Sequence, residues 1–250
     1  MAKRSREPNA TAGGRMSGGV VRPAAGLRSI GGTFRGRRLH YSGDLRTRPM
    51  KDRLREAIFN LIGPAIRGKH AIDLFAGTGA LALEALSRGA DRATLIEQHN
   101  PTADIIRQNI AELGLEKRAE VVVGNTFIWW KRQSKRQGDA GTVPIFVPAK
   151  MGLSPLTQEQ PPLVHESRQF HDTPWVVFCS PPYDFYVERT DEMLDLLSGL
   201  VQAAPDESVF VVEADGRFDV QRLPESQAWD VRTYPPAVVG IFRKEAMNSA

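Results

Sequence analysis

The sequence is poor in the residues that build disulfides and metal sites, and it lacks long apolar runs. It holds one cysteine, Cys179, among 250 residues, which excludes an internal disulfide and a thiolate metal cluster. Its five histidines show no ligand spacing such as H-x-x-x-H, so we expect no metal. No segment approaches the roughly 18 apolar residues of a membrane span. The first residues also lack the apolar centre of a secretory signal, so we expect a cytoplasmic protein that inserts in no membrane.

Charge is distributed unevenly along the chain. Residues 1–55 hold 14 Lys/Arg against 3 Asp/Glu, a net charge of +11, whereas the other 195 residues hold 19 against 26, a net charge of −7. Basic segments of this kind bind polyanions, with an affinity that falls as the salt concentration rises. Residues 1–26, rich in Gly, Ala and Arg, are predicted to be a disordered basic tail, because they cannot bury enough apolar surface to offset their ordering entropy.

The segment that follows the tail is patterned. In 28–55, apolar residues alternate with polar ones around Gly36, which predicts a small hairpin that presents Arg35, Arg37 and Arg38 at fixed positions. A helix is predicted over 49–62, because its apolar residues form one stripe, Pro49 suits a first turn and a Gly-Pro pair stops it.

Strand-like and helix-like segments then alternate. Strands are predicted at 71–75, 93–97 and 120–123, and helices at 80–88 and 100–113, the second with Asn100 as its N-cap. Strands and helices that alternate with short joins predict right-handed crossovers, and hence an α/β fold with a parallel sheet.

A glycine-rich turn, which holds Gly77 and Gly79, follows the first of these strands. Such a turn lets the backbone approach a ligand at the carboxyl end of a strand. The pattern also satisfies the dinucleotide fingerprint, with Glu97 in place to bind a ribose, so the turn alone leaves NAD open. Asp73 favours a cofactor with a positively charged amino-acid portion, because a carboxylate would repel a pyrophosphate. S-adenosylmethionine has that charge.

The apolar run 175–179 is predicted to be a further buried strand, and it ends at Ser180, Pro181, Pro182 and Tyr183. The prolines restrict the backbone, so its carbonyl oxygens are held in place. Ser180 Oγ and a neighbouring carbonyl could accept the two N–H bonds of an exocyclic amine while Tyr183 stacks on the base. This stretch therefore predicts amine methylation, provided that it meets the glycine turn.

With these motifs the sequence resembles the RsmD-like family of bacterial methyltransferases, which methylate N2 of a guanine in small-subunit (16S) ribosomal RNA. The resembling segments lie at 35–39, 47–60, 73–90 and 181–183. The resemblance implies a class I (Rossmann-like) methyltransferase fold, with a seven-stranded, mostly parallel sheet, helices on both faces and a small N-terminal basic hairpin. Its last three strands would lie at 209–213, 229–234 and 238–243, the final one antiparallel.

The resemblance also implies domains and roles for individual residues. An RNA-binding hairpin and helix at 27–63 would precede a methyltransferase domain at 64–246. S-adenosyl-L-methionine would be held by Asp73, Phe75, Gly77, Gly79, Glu97 and Asn125, with Thr47, Arg48 and Pro49 closing over it. The catalytic residues would be Ser180, Pro181, Pro182 and Tyr183, and RNA would contact Arg35, Arg37, Arg38 and Arg46. The partner would be ribosomal RNA or the small ribosomal subunit, and we expect a monomer.

The chain departs from the family pattern in several places. Ser180 and Asn125 stand where the family usually has Asp, and Met50 stands where it usually has Thr. An irregular insert is predicted at about 133–172, because this stretch has several prolines and no sustained period. The neighbouring pair Trp129-Trp130 could stack on RNA, but helix packing is the favoured interpretation.

The sequence thus predicts S-adenosylmethionine-dependent methylation of an exocyclic amine of RNA, namely guanine N2. A nearer alternative is an amino-methyltransferase acting on DNA adenine or on a protein glutamine amide, since serine or asparagine before Pro-Pro-aromatic also occurs there. The basic N-terminal segment favours nucleic acid over protein. The remoter alternative is a non-catalytic RNA-binding protein or an NAD-dependent protein.

Overall fold

The computed structural model describes residues 23–41, 43, 49–138 and 173–246. The strands are β1 (Pro23–Arg28), β2 (Arg38–His40), β3 (His70–Asp73), β4 (Arg92–Glu97), β5 (Ala119–Val123), β6 (Trp175–Cys179), β7 (Val209–Asp215), β8 (Asp230–Tyr234) and β9 (Ala237–Arg243). The α-helices are α1 (Asp52–Ile62), α2 (Ala80–Ser87), α3 (Asn100–Leu113), α4 (Thr126–Gly138), α5 (Phe185–Glu188) and α6 (Thr190–Ala203). None of the helices among these residues is both long and apolar enough to cross a bilayer.

Seven strands form one sheet in the order β5-β4-β3-β6-β7-β9-β8. The neighbours from β5 to β7 pair in parallel, whereas β9 runs antiparallel to both β7 and β8. The predicted seven-stranded, mostly parallel α/β sheet with an antiparallel final strand is therefore confirmed. The chain runs outward from β3 through β4 to β5 and then returns to β6, on the other side of β3. In open α/β sheets, ligands bind at such a reversal of strand order.

Helices cover both faces of the sheet. Successive residues of a strand point to opposite faces, so one strand contributes to the core on each side. In β6, Val176 and Phe178 pack with residues of α1, α2 and α3, whereas Trp175, Val177 and Cys179 pack with residues of α4, α5 and α6. A strand that is buried on both faces reads as a continuous apolar run. This is why the run at 175–179 lacks polar alternation.

The N-terminal hairpin, β1 and β2, docks on the same core. Leu27 and Leu39 are buried with residues of α2 and α3. The buried Glu84 carboxylate of α2 accepts hydrogen bonds from Ser29 Oγ at 2.7 Å and from the Ile30 amide at 2.8 Å. The Asn109 side chain of α3 bonds the backbone amide and carbonyl of His40 at 2.7 and 3.1 Å. Residues 27–63 thus share their core with the main sheet.

Several predicted boundaries are wrong. The helix predicted over 49–62 begins at Asp52, with Lys51 as its N-cap, so Pro49 lies before its first turn. His99, not Asn100, is the N-cap of α3. Strand β1 begins at Pro23, inside the predicted 1–26 tail, because it pairs with β2. The remainder of that tail, residues 1–22, lies outside the described residues.

The predicted insert also starts later than expected, because α4 continues to Gly138. The rest of the insert, 139–172, lies outside the described residues. Trp129 and Trp130 are 7% and 9% exposed and belong to the apolar cluster that includes α6. Helix packing is therefore confirmed for this pair, in preference to stacking on RNA.

Candidate active site

A cavity of about 1150 Å³ opens at the carboxyl ends of the parallel strands, where the strand order reverses. Residues that follow β3, β4, β5 and β6 line it, together with Glu213 of β7 and the turn between β8 and β9. Gly77 and Tyr183, which belong to separate motifs of the sequence, both lie on its wall. The parallel sheet thus brings the glycine turn and the Ser-Pro-Pro-Tyr stretch to one site.

The glycine turn has a left-handed backbone at both glycines. Gly77 has φ 51° and Gly79 has φ 73°, a region that side chains with a Cβ rarely adopt. Gly77 lies on the cavity wall, whereas Gly79 does not and instead caps α2. A Cβ on Gly79 would lie 3.1 Å from Ile106 Cγ2, so this glycine also permits close packing on α3.

Glu97, the last residue of β4, supports this turn and lines the cavity. Its Oε2 accepts a hydrogen bond from the Gly77 amide at 2.9 Å, and its Oε1 accepts one from the His99 amide at 2.8 Å. An ionised carboxylate has about four acceptor positions, so Glu97 can still accept the hydroxyls of a ribose.

Asp73 lies behind the cavity wall. Its side chain is 1% exposed and is not among the lining residues, although the sequence predicts a direct role in cofactor binding. Burial raises the pKa of Asp73 to about 7, an effect that the nearby backbone amides of Ala82 and Phe75 oppose and the charge of Glu97 reinforces. Neither carboxyl oxygen makes a hydrogen bond of ordinary geometry. A contact between Asp73 and a cofactor stays a prediction.

Three phenylalanines form the apolar wall of the cavity. Phe75, Phe127 and Phe185 have ring centroids 5.9 to 6.4 Å apart, and all three line the cavity. The Arg189 guanidinium covers the outside of this group, 4.2 Å from the Phe127 centroid. Only Phe75 is among the residues predicted from the sequence. The other two lacked a motif to single them out.

Asn125 lines the cavity but is already engaged with the protein. Its Oδ1 accepts hydrogen bonds from the amides of Phe127 and Ile128 at 3.0 and 3.2 Å, so it satisfies free amides at the start of α4. The contact of Asn125 with the cofactor that the resemblance implies would therefore compete, at this oxygen, with a helix cap. An asparagine directly before a helical segment is the sequence signal for this role.

The Ser-Pro-Pro-Tyr stretch leaves β6 along the cavity wall, and all four of its residues line it. Ser180 Oγ donates a hydrogen bond to Glu213 Oε2, and the Tyr183 hydroxyl donates one to Glu213 Oε1 at 2.7 Å. Glu213 is 7% exposed and lies in β7, beside β6. Sequence reasoning missed this glutamate, because no local pattern connects it to the motif.

Cys179, next to Ser180, is not a nucleophile of this site. Burial raises the pKa of its thiol to about 12, so the reactive thiolate is absent near neutral pH. Within the part of the chain that the structure describes, no three His, Cys, Asp or Glu side chains form a group that could hold a metal ion.

The segment before α1 and the first turn of α1 also line the cavity. Pro49, Met50 and Arg55 lie on its wall. The Arg55 side chain is 1% exposed, and its Nη2 donates to the carbonyl oxygen of Arg28 at 2.7 Å and to Asp52 Oδ1 at 2.6 Å. Thr47 and Arg48, predicted to close over the cofactor together with Pro49, lie outside the described residues, and so does Arg46, which is predicted to contact RNA.

The three hairpin arginines do not line the cavity. Arg35, Arg37 and Arg38 are all exposed, and the Arg37 guanidinium donates to the carbonyl oxygen of Glu112 in α3 at 2.9 Å. They form a separate basic surface, and their contact with RNA stays a prediction.

Comparisons with known proteins agree with this architecture. A model of the family described as Conserved hypothetical protein 95 matches residues 27–148. The ribosomal RNA small subunit methyltransferase D of Escherichia coli K12 is 46% identical over 87 residues, which are 35% of this chain and 44% of the relative. YlbH of Bacillus subtilis, provisionally named an rRNA methyltransferase, is 39% identical over 95 residues, 38% of this chain and 52% of the relative. The chain thus spans about half the length of these curated relatives.

A solved structure shows the same fold over almost the whole chain. The protein yhhF of Escherichia coli, provisionally described as a methyltransferase, superposes with a TM-score of 0.60 at 26% identity. The match covers 88% of this chain and 99% of that one. The predicted methyltransferase fold is therefore confirmed. The family model, which matches residues 27–148, and the two curated relatives confirm the resemblance to the RsmD-like methyltransferases that the sequence predicts.

Proposed function

We propose that this protein transfers a methyl group from S-adenosyl-L-methionine to an exocyclic amine of RNA, namely guanine N2 in small-subunit ribosomal RNA. The observation that carries the proposal is the convergence of Gly77, Glu97, Ser180 and Tyr183 on one cavity at the reversal of strand order. The names of the curated relatives, which are ribosomal RNA methyltransferases, support the choice of substrate. We propose that it works as a monomer in the cytoplasm, on ribosomal RNA or the small ribosomal subunit.

The residues of the cavity fit the proposed cofactor. The carboxylate of Glu97 suits the ribose hydroxyls, the backbone at Gly77 leaves room for close approach, and Phe75 with Phe127 offers an apolar surface to the adenine. Asn125 lies on the same wall. When bound, S-adenosylmethionine supplies an electrophilic methyl group on a positively charged sulfur.

The chain's own part of the chemistry is to orient the amine. Pro181 and Pro182 limit the backbone conformations of Ser180 and its neighbours, so the acceptors beside β6 are held in place before the substrate arrives. The Tyr183 ring, which is partly buried, supplies a surface on which an extruded base can stack. The apolar group around Phe185 keeps water from that side of the cavity. An amine held in this way needs no strong base, because it loses a proton readily once it is methylated.

The hairpin is the proposed RNA-binding surface. Arg35, Arg37 and Arg38 are exposed on an element that hydrogen bonds hold to α2 and α3, so their charges keep a defined place relative to the cavity. Phosphate contacts by arginine position a nucleic acid without reading its sequence. Such contacts explain RNA binding but not the choice of guanine.

Ligand-dependent thermal stability tests the cofactor. S-adenosylhomocysteine is expected to raise the melting temperature of the protein and NAD is not, because a ligand that binds only the folded state stabilises it. Stabilisation by NAD alone would instead support the NAD-dependent alternative.

Methyl transfer tests the reaction and the substrate together. Small ribosomal subunits and naked RNA from a strain that lacks the gene are incubated with the protein and labelled S-adenosylmethionine, and the nucleosides are identified by mass spectrometry. We expect N2-methylguanosine. Replacing Tyr183 with alanine should abolish the transfer while S-adenosylhomocysteine affinity stays near that of the wild type. Wild-type activity in Tyr183→Ala would show that the ring only packs.

A further inference from the structure

Glu213 joins the two hydroxyl-bearing residues of the site. It lies on the cavity wall, 7% exposed, with one carboxylate oxygen accepting from Ser180 Oγ and the other accepting from the Tyr183 hydroxyl at 2.7 Å. The glycine turn and the Ser-Pro-Pro-Tyr stretch do not include it. Because both hydroxyls donate to its carboxylate, Glu213 is a candidate for a role in the site.

The sheet holds this carboxylate rigidly. Cys179 of β6 pairs with Val212 of β7, so Ser180 and Glu213 come next along two adjacent strands. On its other side Glu213 pairs with Val239 of β9. A side chain on the interior of a paired sheet is placed more accurately than one on a loop. Glu213 can therefore determine where the hydroxyl hydrogens point.

The direction of these hydrogen bonds determines whether donors or acceptors on this part of the cavity wall are available to a substrate. A hydroxyl has one hydrogen to donate and two lone pairs that accept, whereas an ionised carboxylate only accepts. Because Ser180 and Tyr183 both donate to Glu213, their hydrogens are already used. What these residues can still offer to the cavity is lone pairs, namely those of the two hydroxyl oxygens and those that remain on the carboxylate. This part of the wall consists of acceptors.

We propose that Glu213 is a positioning residue that makes this wall an array of acceptors, selective for a nucleobase edge with adjacent N–H donors. Guanine presents such an edge, since its N2 amine lies beside N1–H. Adenine does not, because its N6 amine lies beside N1, which is itself an acceptor. The inference rests on the proposed function and deepens it, by assigning the choice of guanine over adenine to Glu213 acting with Ser180.

The matched variant is Glu213→Gln, which keeps the size of the side chain. Its amide donates as well as accepts, so one of the two hydroxyls must reverse and present its hydrogen to the cavity. The amine then loses an acceptor, and a misplaced reacting group commonly costs about a hundredfold in rate. We expect kcat on small ribosomal subunits to fall by about a hundredfold, with KM for the subunits and S-adenosylhomocysteine affinity within about threefold of the wild type.

A double-mutant cycle tests whether Glu213 acts through Ser180. If it does, Ser180→Ala lowers kcat about as much as Glu213→Gln, and combining the two lowers it by no more than about threefold further. Glu225→Gln, an exposed glutamate away from the cavity, is the matched control for the change of charge and should keep wild-type kcat.

Each possible result supports or contradicts one of the two proposals. A wild type that transfers no methyl group defeats the proposed function itself, whereas wild-type kcat in a folded Glu213→Gln variant defeats only the role of Glu213. Fully additive effects in the double variant also overturn it, as does N6-methyladenosine as the wild-type product. If Glu213→Gln does not fold, Ser180→Ala decides alone, since activity within about threefold of the wild type would show that its oxygen presents nothing to the amine.

Discussion

The carboxyl group of Asp73 should make the stability of this protein depend on pH in an unusual direction. Its oxygens are buried beneath the glycine turn without a hydrogen bond of ordinary geometry, and burial raises its pKa from 3.8 to about 7. The folded state therefore binds the Asp73 proton more tightly than the unfolded state does. Stability from this group is fully present below pH 3.8 and is lost as the pH rises towards 7.

The size of the effect follows from the shift. Each pKa unit corresponds to about 1.4 kcal/mol, so a rise from 3.8 to about 7 corresponds to about 4 kcal/mol in the free energy of unfolding. Unfolding is convenient to measure between about pH 5 and about pH 8. Over that interval the ionisation of Asp73 should lower the free energy of unfolding by about 3 kcal/mol. Asp73→Asn removes the ionisable group and should not suffer this loss.

Urea unfolding of both proteins at the two pH values measures the difference. We expect Asp73→Asn to gain about 3 kcal/mol on the wild type between pH 5 and pH 8. Any pH-independent effect of asparagine on packing cancels in that comparison. Asp195→Asn, at an exposed position of α6, is the control and should gain nothing. An Asp73→Asn variant whose unfolding free energy follows that of the wild type at both pH values would refute the argument.

Three further predictions follow from contacts elsewhere in the structure. Glu84→Ala should cost about 3 kcal/mol in urea unfolding and expose the hairpin to limited proteolysis, because it removes a buried carboxylate that accepts from Ser29, Ile30 and Arg88. Gly199→Ala should cost about 1–2 kcal/mol in the same assay, because its Cβ would lie 2.7 Å from Trp130 Nε1. Replacing both Arg35 and Arg38 with alanine should weaken RNA binding and reduce the salt slope by about one for each phosphate that the protein no longer binds, measured by filter binding.

Each of these changes has a matched control. Glu56→Ala, at an exposed position of α1, should leave the hairpin protected. Gly216→Ala should be tolerated, because an added Cβ there meets no atom within 4 Å. Arg222→Ala, an exposed arginine outside the hairpin, should keep the wild-type salt slope. Equal effects in a variant and its control would show that the named contact is not responsible.

Much of the fold could be predicted because its signals are local. The left-handed glycine that ends α3, the glycine turn before α2 and the doubly buried run of β6 each follow from a few neighbouring residues. Boundaries were less predictable, because neither Lys51 at α1 nor His99 at α3 makes the side-chain capping hydrogen bond that a sequence pattern would indicate. At α3, His99 is the N-cap and Asn100 is the first helical residue, although asparagine is the better cap in isolation.

The chain itself determined that a glycine turn and a Ser-Pro-Pro-Tyr stretch would each follow a buried strand, since both are written in consecutive residues. Only the tertiary structure decided that Asp73 would lie behind the cavity wall and that Glu213 would hold both Ser180 and Tyr183. The physical reason is the register of the sheet. Pairing between β6 and β7 places side by side residues that are far apart in the chain, and backbone hydrogen bonds between strands carry no signature in the local sequence.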